Sequence, residues 1–514
     1  MPRLKTNFKI WLPLLLAVVL VMGIQMGIML SSQEKFSFGG NGKPNTVDEV
    51  LAYIAAKYVD TVNISTIRQK SIEALLAELD PHSVYIPTSS LTDVNQRMQG
   101  SFEGIGVEFF PLHDTATVIN VIDGGPASQS GLKKGDRIVL VNDSLIAGKY
   151  YSDERIKKKL KGEGGTKVKV GVLRGKDLTV KNFEIVRGKI PLSSIDASYM
   201  INANTGYIKM ALFSETTEDE LHRDLEKLNA QGMKNLILDL RGNGGGVLET
   251  AVQIADEFLS EKKVVVYTQG RVYPKKEYYS GSPGLFENGK LCVLIDEESA
   301  SASEILAGAL QDYDRATIVG RRSFGKGLVQ EQYTLSDSSG LRLTIARYYT
   351  PSGRCIQKSY SGGSENYAHD LLNRFNHGEL TSADSIKISD TTKYYTESGK
   401  IVYGGGGIVP DVFVAMDTAL LRSDISGVSQ FAIQEAAYIF AIRFQKTFSE
   451  NDLLWLCAAI NISPEKLTAD QKKYLSRDAE NLSAKILFDD NDYYRRVNNY
   501  DNDVLKALEI IGKK

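Results

Sequence analysis

The sequence predicts a multidomain protein of mixed α/β and α+β class, with helical segments at both ends of its folded part. Strand-like and helix-like runs alternate between residues 206 and 320, and shorter strands mix with short helices between 101 and 174. Apolar residues recur at helical spacing within 47–79 and again beyond 416. A chain of 514 residues is long enough for about three or four domains.

Composition excludes several classes of protein. The chain is 42% hydrophobic and 24% charged, which is typical of a globular protein rather than a disordered one. Its net charge of −2 provides no basic surface of the kind that nucleic acid requires. The three cysteines are too few for a disulfide scaffold, and their spacing fits no metal site. We therefore expect no nucleic-acid partner, no metal and no cofactor.

An uncharged run near the N-terminus predicts a membrane anchor. Residues 10–30 are long enough to cross ~30 Å of hydrocarbon as a helix. The basic residues before this run keep 1–9 in the cytoplasm, so that the remaining chain is exported. A cleaved signal peptide is the alternative, but the run is longer than a usual signal segment and no small-residue cleavage site follows it. Residues 31–46 are expected to form a tether.

The rest of the chain divides into four parts: a helical segment (47–92), a small α+β module (93–188), an α/β core (189–415) and a helical extension (416–514). Within 47–92 two helices are expected, with a break near Asp60. Within the core, the polar residues 360–402 are interpreted as an insertion or a mobile segment. The extension is expected to serve assembly of a homo-oligomer or docking of an adaptor.

A pair of glycines in the α+β module indicates a binding site for a carboxylate. Gly104 and Gly106 flank Ile105 and precede Val107, so backbone amides can face a ligand without obstruction by side chains. A group of backbone amides of this kind is called a nest. Binding of a peptide's C-terminal carboxylate in a nest, while the peptide adds as a strand to a sheet edge, is a known recognition mode. A structural hairpin turn is the alternative.

Two turns in the α/β core are candidate sites for chemistry, and each of them follows a strand-like run. RGNGGG (241–246) follows NLILDL, and the serines of SASASEILAGAL (299–310) follow KLCVLID. In a βαβ sheet, ligand sites lie at the carboxyl ends of the strands. Asp239 and Arg241 are expected to form an ion pair that braces the glycine-rich turn.

A serine and a lysine provide the candidate chemistry. None of the five histidines lies in the serine segment or in SFGKGLVQ (323–330), so a lysine base is favoured for activating a serine. By sequence alone Ser299, Ser301 and Ser303 are equal candidates. His82, in a turn beside a proline, is expected to be structural. Glu304 is left open between a contact to substrate and a cap of the helix.

Seven segments of this chain, in this order, resemble the C-terminal processing, or tail-specific, serine peptidases. They are LDPHSVYIP, GSFEGIGVEF, ILDLRGNGGG, SASASEILAGAL, SFGKGLVQ, YYTPSGRCIQ and GGGGIVPD. The resemblance covers residues 45–358 and 403–414. The run SGLKKGDRIVLVND resembles the core of PDZ domains, so that 93–188 is expected to be a PDZ domain and 189–415 a peptidase core of the tail-specific type.

The resemblance implies a catalytic dyad of Ser301 and Lys326, with Gln330 one helical turn after the lysine. A serine at the start of a helix has backbone amides available to an oxyanion. Ala302 is the expected first donor, and Gly245 or Gly246 the second.

The expected function is that of a membrane-anchored, extracytoplasmic serine endopeptidase in the periplasm. It would cleave proteins near free C-termini, which the PDZ residues Gly104, Ile105, Gly106 and Val107 would hold. Two alternatives remain: a PDZ scaffold with a degenerate hydrolase domain, and an acyl hydrolase acting on lipids or small esters.

Overall fold

The computed structural model describes residues 45–281, 283–388, 390–417 and 429–513. The predicted anchor (10–30), the tail before it and nearly all of the tether lie outside these ranges. Within these ranges, no helix combines the length and the apolar character needed to span a membrane. The chain divides into two compact units, Met1–Leu75 and Leu76–Lys514.

The two helices expected near the N-terminus are confirmed. Helix α1 is Thr46–Lys57 and α2 is Ile64–Ala77, so the break falls around Asp60 as the apolar spacing predicts. The side chain of Asn45 caps α1 by accepting a hydrogen bond from the Val47 amide.

A small β-rich module follows, which we call the PDZ-like module (residues 101–191). Strand β1 and helix α3 precede it. The elements are β1 Val84–Ile86, α3 Thr88–Met98, β2 Ser101–Gly104, β3 Val107–Leu112, β4 Thr115–Val121, α4 Pro126–Gln129, β5 Arg137–Val141, β6 Ser144–Leu145, α5 Asp153–Leu160, β7 Lys167–Leu173, β8 Lys181–Val186 and β9 Gly188–Pro191.

The PDZ-like module is an antiparallel sheet closed by one amphipathic helix. The sheet order is β3-β4-β5-β7-β8, with β6 paired to β5, and β2 pairs separately with β9. Helix α5 buries Ile156 and Leu160 in the core of the module, beside strand residues such as Ile138 and Val170. The mixture of strands and short helices predicted from the sequence is therefore confirmed.

The α/β core continues the chain to residue 417. Its elements are β10 Ile195–Met200, β11 Thr205–Met210, α6 Thr217–Ala230, β12 Asn235–Asp239, α7 Leu248–Asp256, β13 Val264–Gln269, β14 Lys276–Tyr279, β15 Lys290–Ile295, α8 Ala302–Asp312, β16 Thr317–Gly320, β17 Leu328–Thr334, β18 Gly340–Tyr349, α9 Gly363–Ala368, α10 Asp370–Asn376, β19 Tyr394–Tyr395, β20 Ile401–Val402 and β21 Val412–Phe413.

Two sheets share this core. The first has the order β10-β11-β12-β15-β16-β21 and is parallel except for the β10–β11 pair. The second is antiparallel, with the order β1-β18-β13-β14 and β17 paired to β18. Strand β13 lies in the second sheet, although β12 before it and β15 and β16 after it belong to the parallel sheet. The chain between β13 and β14 is too short for a parallel crossover, so it returns as an antiparallel hairpin.

The polar segment 360–402, which we call the insertion, packs against the core. It forms α9 and α10 and buries Tyr367, Arg374 and Leu380. Its apolar periodicity is weak because much of its buried surface is polar. Arg374, for example, donates to backbone carbonyls of the core.

The predicted helical extension (residues 429–513 in the structure) packs against both the PDZ-like module and the α/β core. Tyr438 and Ala441 pack with Leu112 on the outer side of β3, and Phe431 stacks on Phe110 at 5.2 Å between ring centroids. Farther along, apolar residues near the end of the extension cover the parallel sheet. The helices are α11 Gln430–Phe444, α12 Leu453–Ala459, α13 Ala469–Leu487, α14 Asp490–Asn498 and α15 Asn502–Gly512.

Candidate active site

The two turns singled out from the sequence lie side by side at the carboxyl edge of the parallel sheet. β12 and β15 are neighbouring parallel strands, with Asp239 opposite Leu294. The glycine turn (residues 241–246) follows β12, and Ser301 follows β15 as the N-cap of α8. The predicted position at the ends of adjacent strands is confirmed.

The glycine turn approaches Ser301 so closely that only glycine fits. A Cβ added at Gly245 would lie 2.8 Å from the Cβ of Ser301, and one at Gly246 would lie 1.9 Å from the carbonyl oxygen of Phe213. The Gly245 amide donates to the Asn243 side chain at 2.9 Å. Of the two glycine amides expected to bind an oxyanion, that of Gly245 is therefore already engaged.

The three serines of the segment have different surroundings. Ser299 and Ser303 are fully buried, and their hydroxyls donate at 2.8 Å to the carbonyl oxygens of Leu240 and Asn243 respectively. Ser301 is partly exposed, and its backbone has φ 55° and ψ −114°, a conformation that residues other than glycine rarely adopt. Strain of this kind is typical of functional turns.

Lys326 is largely buried in the lysine turn (residues 321–327). Burial lowers the pKa of Lys326, and the charge of Arg342 lowers it further, while Glu304 and Asp80 act in the opposite direction. Its Nζ donates to Gln330 Oε1 at 3.1 Å. In the part of the chain that the structure describes, no hydrogen bond joins this Nζ to the Ser301 hydroxyl.

Gln330 is held from its other end. Its Nε2 donates to the backbone carbonyl of His82. The resemblance implied that Gln330 lies one helical turn after Lys326. These residues form no helix, because Gln330 lies in strand β17. The lysine reaches it from the preceding turn.

One carboxylate connects the serine and lysine segments. Glu304 is fully buried; its Oε2 accepts from the amides of Ser301 (2.9 Å) and Lys326 (2.8 Å). Its Oε1 accepts from the Gly325 amide at 2.8 Å and from the Ser323 hydroxyl at 2.5 Å. With both oxygens occupied and no exposed surface, Glu304 caps the helix and braces the lysine turn, which answers the question that the sequence left open.

Tyr348 makes a second connection between the same two segments. Its hydroxyl lies 2.6 Å from the carbonyl oxygen of Lys326 and 3.1 Å from that of Ser301. No pattern in the sequence indicates this contact, since Tyr348 comes from strand β18 of the other sheet.

A cavity also lies in the PDZ-like module, between β3 and α5. Its volume is about 530 Å³, and it is lined by Gly104, Ile105, Gly106 and Val107 together with Leu160. Gly106 has φ +76°, which favours glycine. The carbonyls of Ile105 and Gly106 accept hydrogen bonds from Ala127 and Ile122.

Comparisons with known proteins agree with this architecture. A family model described as peptidase family S41 matches residues 204–366, and a PDZ domain model matches 104–185. A carboxy-terminal-processing protease of Bartonella bacilliformis is 34% identical over 331 residues, which cover 62% of this chain and 74% of the relative. The chain belongs to the carboxy-terminal processing proteases of family S41.

Two further proteins are similar to this protease. The carboxy-terminal processing protease CtpB of Bacillus subtilis is 30% identical, over 66% of this chain and 71% of its own. A solved structure titled photosystem II D1 C-terminal processing protease is 29% identical, with 60% of this chain and 83% of that chain covered and a TM-score of 0.34.

His82 has a structural role in this protease. Burial and the charge of Lys326 lower the pKa of His82 to about 4, so that the ring is neutral at physiological pH. Its Nε2 lies 2.8 Å from the hydroxyl of Tyr367 in the insertion, while its carbonyl holds Gln330. The residue supports the site through its backbone.

The insertion fixes the lysine turn through a second set of contacts, made to backbone carbonyls rather than to amides. Arg374 donates to the carbonyls of Arg322, Ser323 and Phe324, and Glu379 pairs with Arg322 through both carboxylate oxygens. No motif in this polar segment indicates such a role, because it depends on contacts across about fifty residues of chain.

The glycine turn of the protease is braced by the expected ion pair, with an addition. Arg241 pairs with Asp239 at 2.6 Å, and it also pairs with Asp501 (2.9 Å) and Asp503 (2.8 Å) from the extension. The first pair could be anticipated from their adjacency in sequence, whereas the other two join residues 260 or more positions apart.

One group of side chains has the composition of a metal site. Glu218, His222 and Glu257 place one ligand atom each within 4.8 Å of one another. Glu257 already accepts hydrogen bonds from His222 (2.6 Å) and from the Leu285 amide (2.8 Å). These contacts account for the arrangement as a hydrogen-bonded brace between α6 and the end of α7.

Proposed function

We propose that this protease cleaves protein chains near their C-termini with Ser301 as nucleophile and Lys326 as general base. The observation that carries the proposal is the difference among the three serines. The hydroxyls of Ser299 and Ser303 are held by backbone carbonyls, and Ser301 stands at the start of α8 beside the glycine turn. The lowered pKa of Lys326 supports its role, because a base must be neutral to accept a proton.

The proposed reaction proceeds through an acyl-enzyme. Lys326 Nζ takes the proton of Ser301 as Oγ bonds to the substrate carbonyl carbon, and the protonated lysine then gives that proton to the departing amine. Water, deprotonated by the same lysine, then bonds to the acyl carbon; the bond from that carbon to Ser301 Oγ breaks, and the lysine returns the proton to Oγ. Nζ and Oγ must approach to hydrogen-bond distance for the first step, as is common for catalytic groups without bound substrate.

The oxyanion formed in this reaction requires donors beside Ser301. We assign this role to the amide of Ala302, at the first turn of α8, and to the glycine turn. Gly246 is the better second donor. Phe213 forms hydrogen bonds with Gly245 and Val247, on either side of Gly246, and among the described residues the Gly246 amide donates no backbone hydrogen bond.

Ser301→Ala should abolish peptide hydrolysis with folding unchanged, because the nucleophile is lost while the backbone contacts of residue 301 remain. Hydrolysis of a denatured protein, followed by sequencing of the products, measures this. Labelling with a serine-reactive phosphonate should modify Ser301 alone.

The matched controls are Ser299→Ala and Ser303→Ala, which should still be labelled at Ser301. Hydrolysis by the Ser301→Ala protein, or an adduct on either neighbour, contradicts the assignment of the nucleophile. A complete absence of labelling in the unaltered protein favours a PDZ scaffold with a degenerate hydrolase domain.

Gln330→Glu should shift the pH dependence of kcat/KM to higher pH. The neutral lysine is the active form, so activity rises as pH passes the pKa of Lys326. A carboxylate 3.1 Å from Nζ favours the ammonium form and raises that pKa. Activity near neutral pH should therefore fall and return at higher pH.

Gln471→Glu is the control for this change, since Gln471 closes the capping box of α13 and glutamate serves equally well there. It should leave the pH profile in place. An unshifted profile for Gln330→Glu contradicts the role of Lys326 as base.

We further propose that the PDZ domain holds the free carboxylate of the substrate. The support is the cavity at Gly104–Val107. Its lining carries three cations, Arg97, Lys157 and Lys161, against two carboxylates, Asp93 and Glu108, with Lys161 paired to Asp93 at 2.7 Å, so that positive charge is in slight excess. The last residues of the substrate would add to the sheet edge at β3 while an upstream bond reaches Ser301.

Amidation of a substrate's C-terminus should lower kcat/KM, because the charge recognised by the nest is removed. A peptide acetylated at its N-terminus is the control, since it loses one charge at the other end. Equal rates for the free and amidated peptides would rule out recognition of the carboxylate.

We also propose that residues 10–30 anchor the protease, with its catalytic part outside the cytoplasm. The support is the length of the uncharged run and the basic residues before it. The full chain should stay in the membrane fraction after alkaline carbonate extraction, and a chain that starts at residue 31 should not. Release of the full chain by carbonate would contradict the anchor.

A further inference from the structure

The last helix of the extension is fixed against the parallel sheet. Val504, Ala507 and Ile511 of α15 are buried against strand residues that include Cys292 and Val319. The helix begins beside the carboxyl edge of the sheet, where the glycine turn and the lysine turn lie. Its first turn therefore faces the loops of the candidate active site.

Asp503, in that first turn, is a buried carboxylate between two arginines. Only 5% of its surface is exposed, and its Oδ2 lies 2.8 Å from Arg241 Nη1 and 3.5 Å from Arg321 Nη1. Asp501, the N-cap of α15, adds a second contact to Arg241 at 2.9 Å.

The two arginines belong to the two turns that carry the proposed chemistry. Arg241 begins the glycine turn, and Arg321 begins the lysine turn. Each also pairs with a carboxylate at the edge of the sheet: Arg241 with Asp239 at the end of β12 (2.6 Å), and Arg321 with Glu297 just after the neighbouring strand β15 (2.7 Å). Asp503 contacts the arginines of both turns, and it comes from a different part of the chain.

The energetics of Asp503 do not favour a role in stability. Its Oδ1 is buried without a hydrogen-bond partner among the described residues. Burial raises the pKa of Asp503, although the charges of Arg241 and Arg321 act in the opposite direction. If the charge of Asp503 were removed, Arg241 would keep Asp239 and Asp501 as partners and Arg321 would keep Glu297, so that neither arginine would be left unpaired.

We propose that Asp503 is a positioning residue for catalysis, which holds the glycine turn and the lysine turn in register through Arg241 and Arg321. The proposal rests on the proposed roles of Ser301, Lys326 and the glycine turn. A misplacement of about 1 Å at such a site costs about 100-fold in rate. The extension therefore completes the catalytic framework from outside the peptidase core.

The test is Asp503→Asn in the full protein, which keeps the shape of the side chain and removes its charge. We expect kcat to fall about 10- to 100-fold with KM little changed, and the rate of Ser301 labelling by a phosphonate to fall in parallel. The melting temperature should be unchanged or higher. Asp503→Glu, which restores the charge, should recover part of the labelling rate.

Tyr494→Phe is the matched control. It removes a hydrogen bond from the same extension to the same sheet, at Asp196, without touching either arginine. It should keep the kcat and the labelling rate of the unaltered protein. Asp501→Asn provides a second variant, because asparagine still caps α15 while the charge facing Arg241 is lost.

Equal kcat values for Asp503→Asn and Tyr494→Phe would overturn the inference. A loss of kcat that follows a matching loss of melting temperature would also overturn it, because the residue would then be only structural. Should Asp503→Asn fail to fold, a normal labelling rate in Asp501→Asn has the same consequence. Activity in Ser301→Ala would instead contradict the proposed function on which the inference rests.

Discussion

The buried carboxylate of Glu304 accepts hydrogen bonds from the amides of Ser301, Gly325 and Lys326 and from the Ser323 hydroxyl. Burial raises its pKa, and the four donors act against that rise. Hydrogen bonds to an ionised acceptor are the strong ones, so this single group can hold Ser301 in a backbone conformation that costs about 1–3 kcal/mol. The serine and the lysine therefore depend on a residue that meets no solvent.

Around this centre, other groups fix each turn from a different side. Tyr348 donates to the carbonyl oxygens of Ser301 and Lys326. Arg374 donates to carbonyl oxygens of residues that precede Lys326, and the ion pair of Arg241 with Asp239 fixes the start of the glycine turn. The supports come from the second sheet, the insertion and the extension. A site assembled in this way requires most of the second compact unit to be folded before its geometry is complete.

Periodicity and turn chemistry predicted the local elements well. The helices near the N-terminus and the positions of the glycine turn and Ser301 after strands follow from the spacing of apolar residues and from glycine. Contacts between distant segments carry no such pattern, so Tyr348, Arg374 and Asp503 could not be identified. The sheet to which β13 belongs could not be predicted either, because it is decided by pairing with β14 and β18. The four-residue spacing between Lys326 and Gln330 does not reveal that it spans a turn and a strand rather than a helix.

The ion pairs of Arg241 join it to residues 260 and 262 positions later in the chain. Contacts of such sequence separation form late, because a long loop must close before they contribute. A nascent chain that has emerged only as far as Lys326 already carries the proposed nucleophile and base, together with Asp239, yet it lacks Asp501 and Asp503. The support of the glycine turn by the extension would therefore be absent until the polypeptide has been synthesised beyond Asp503.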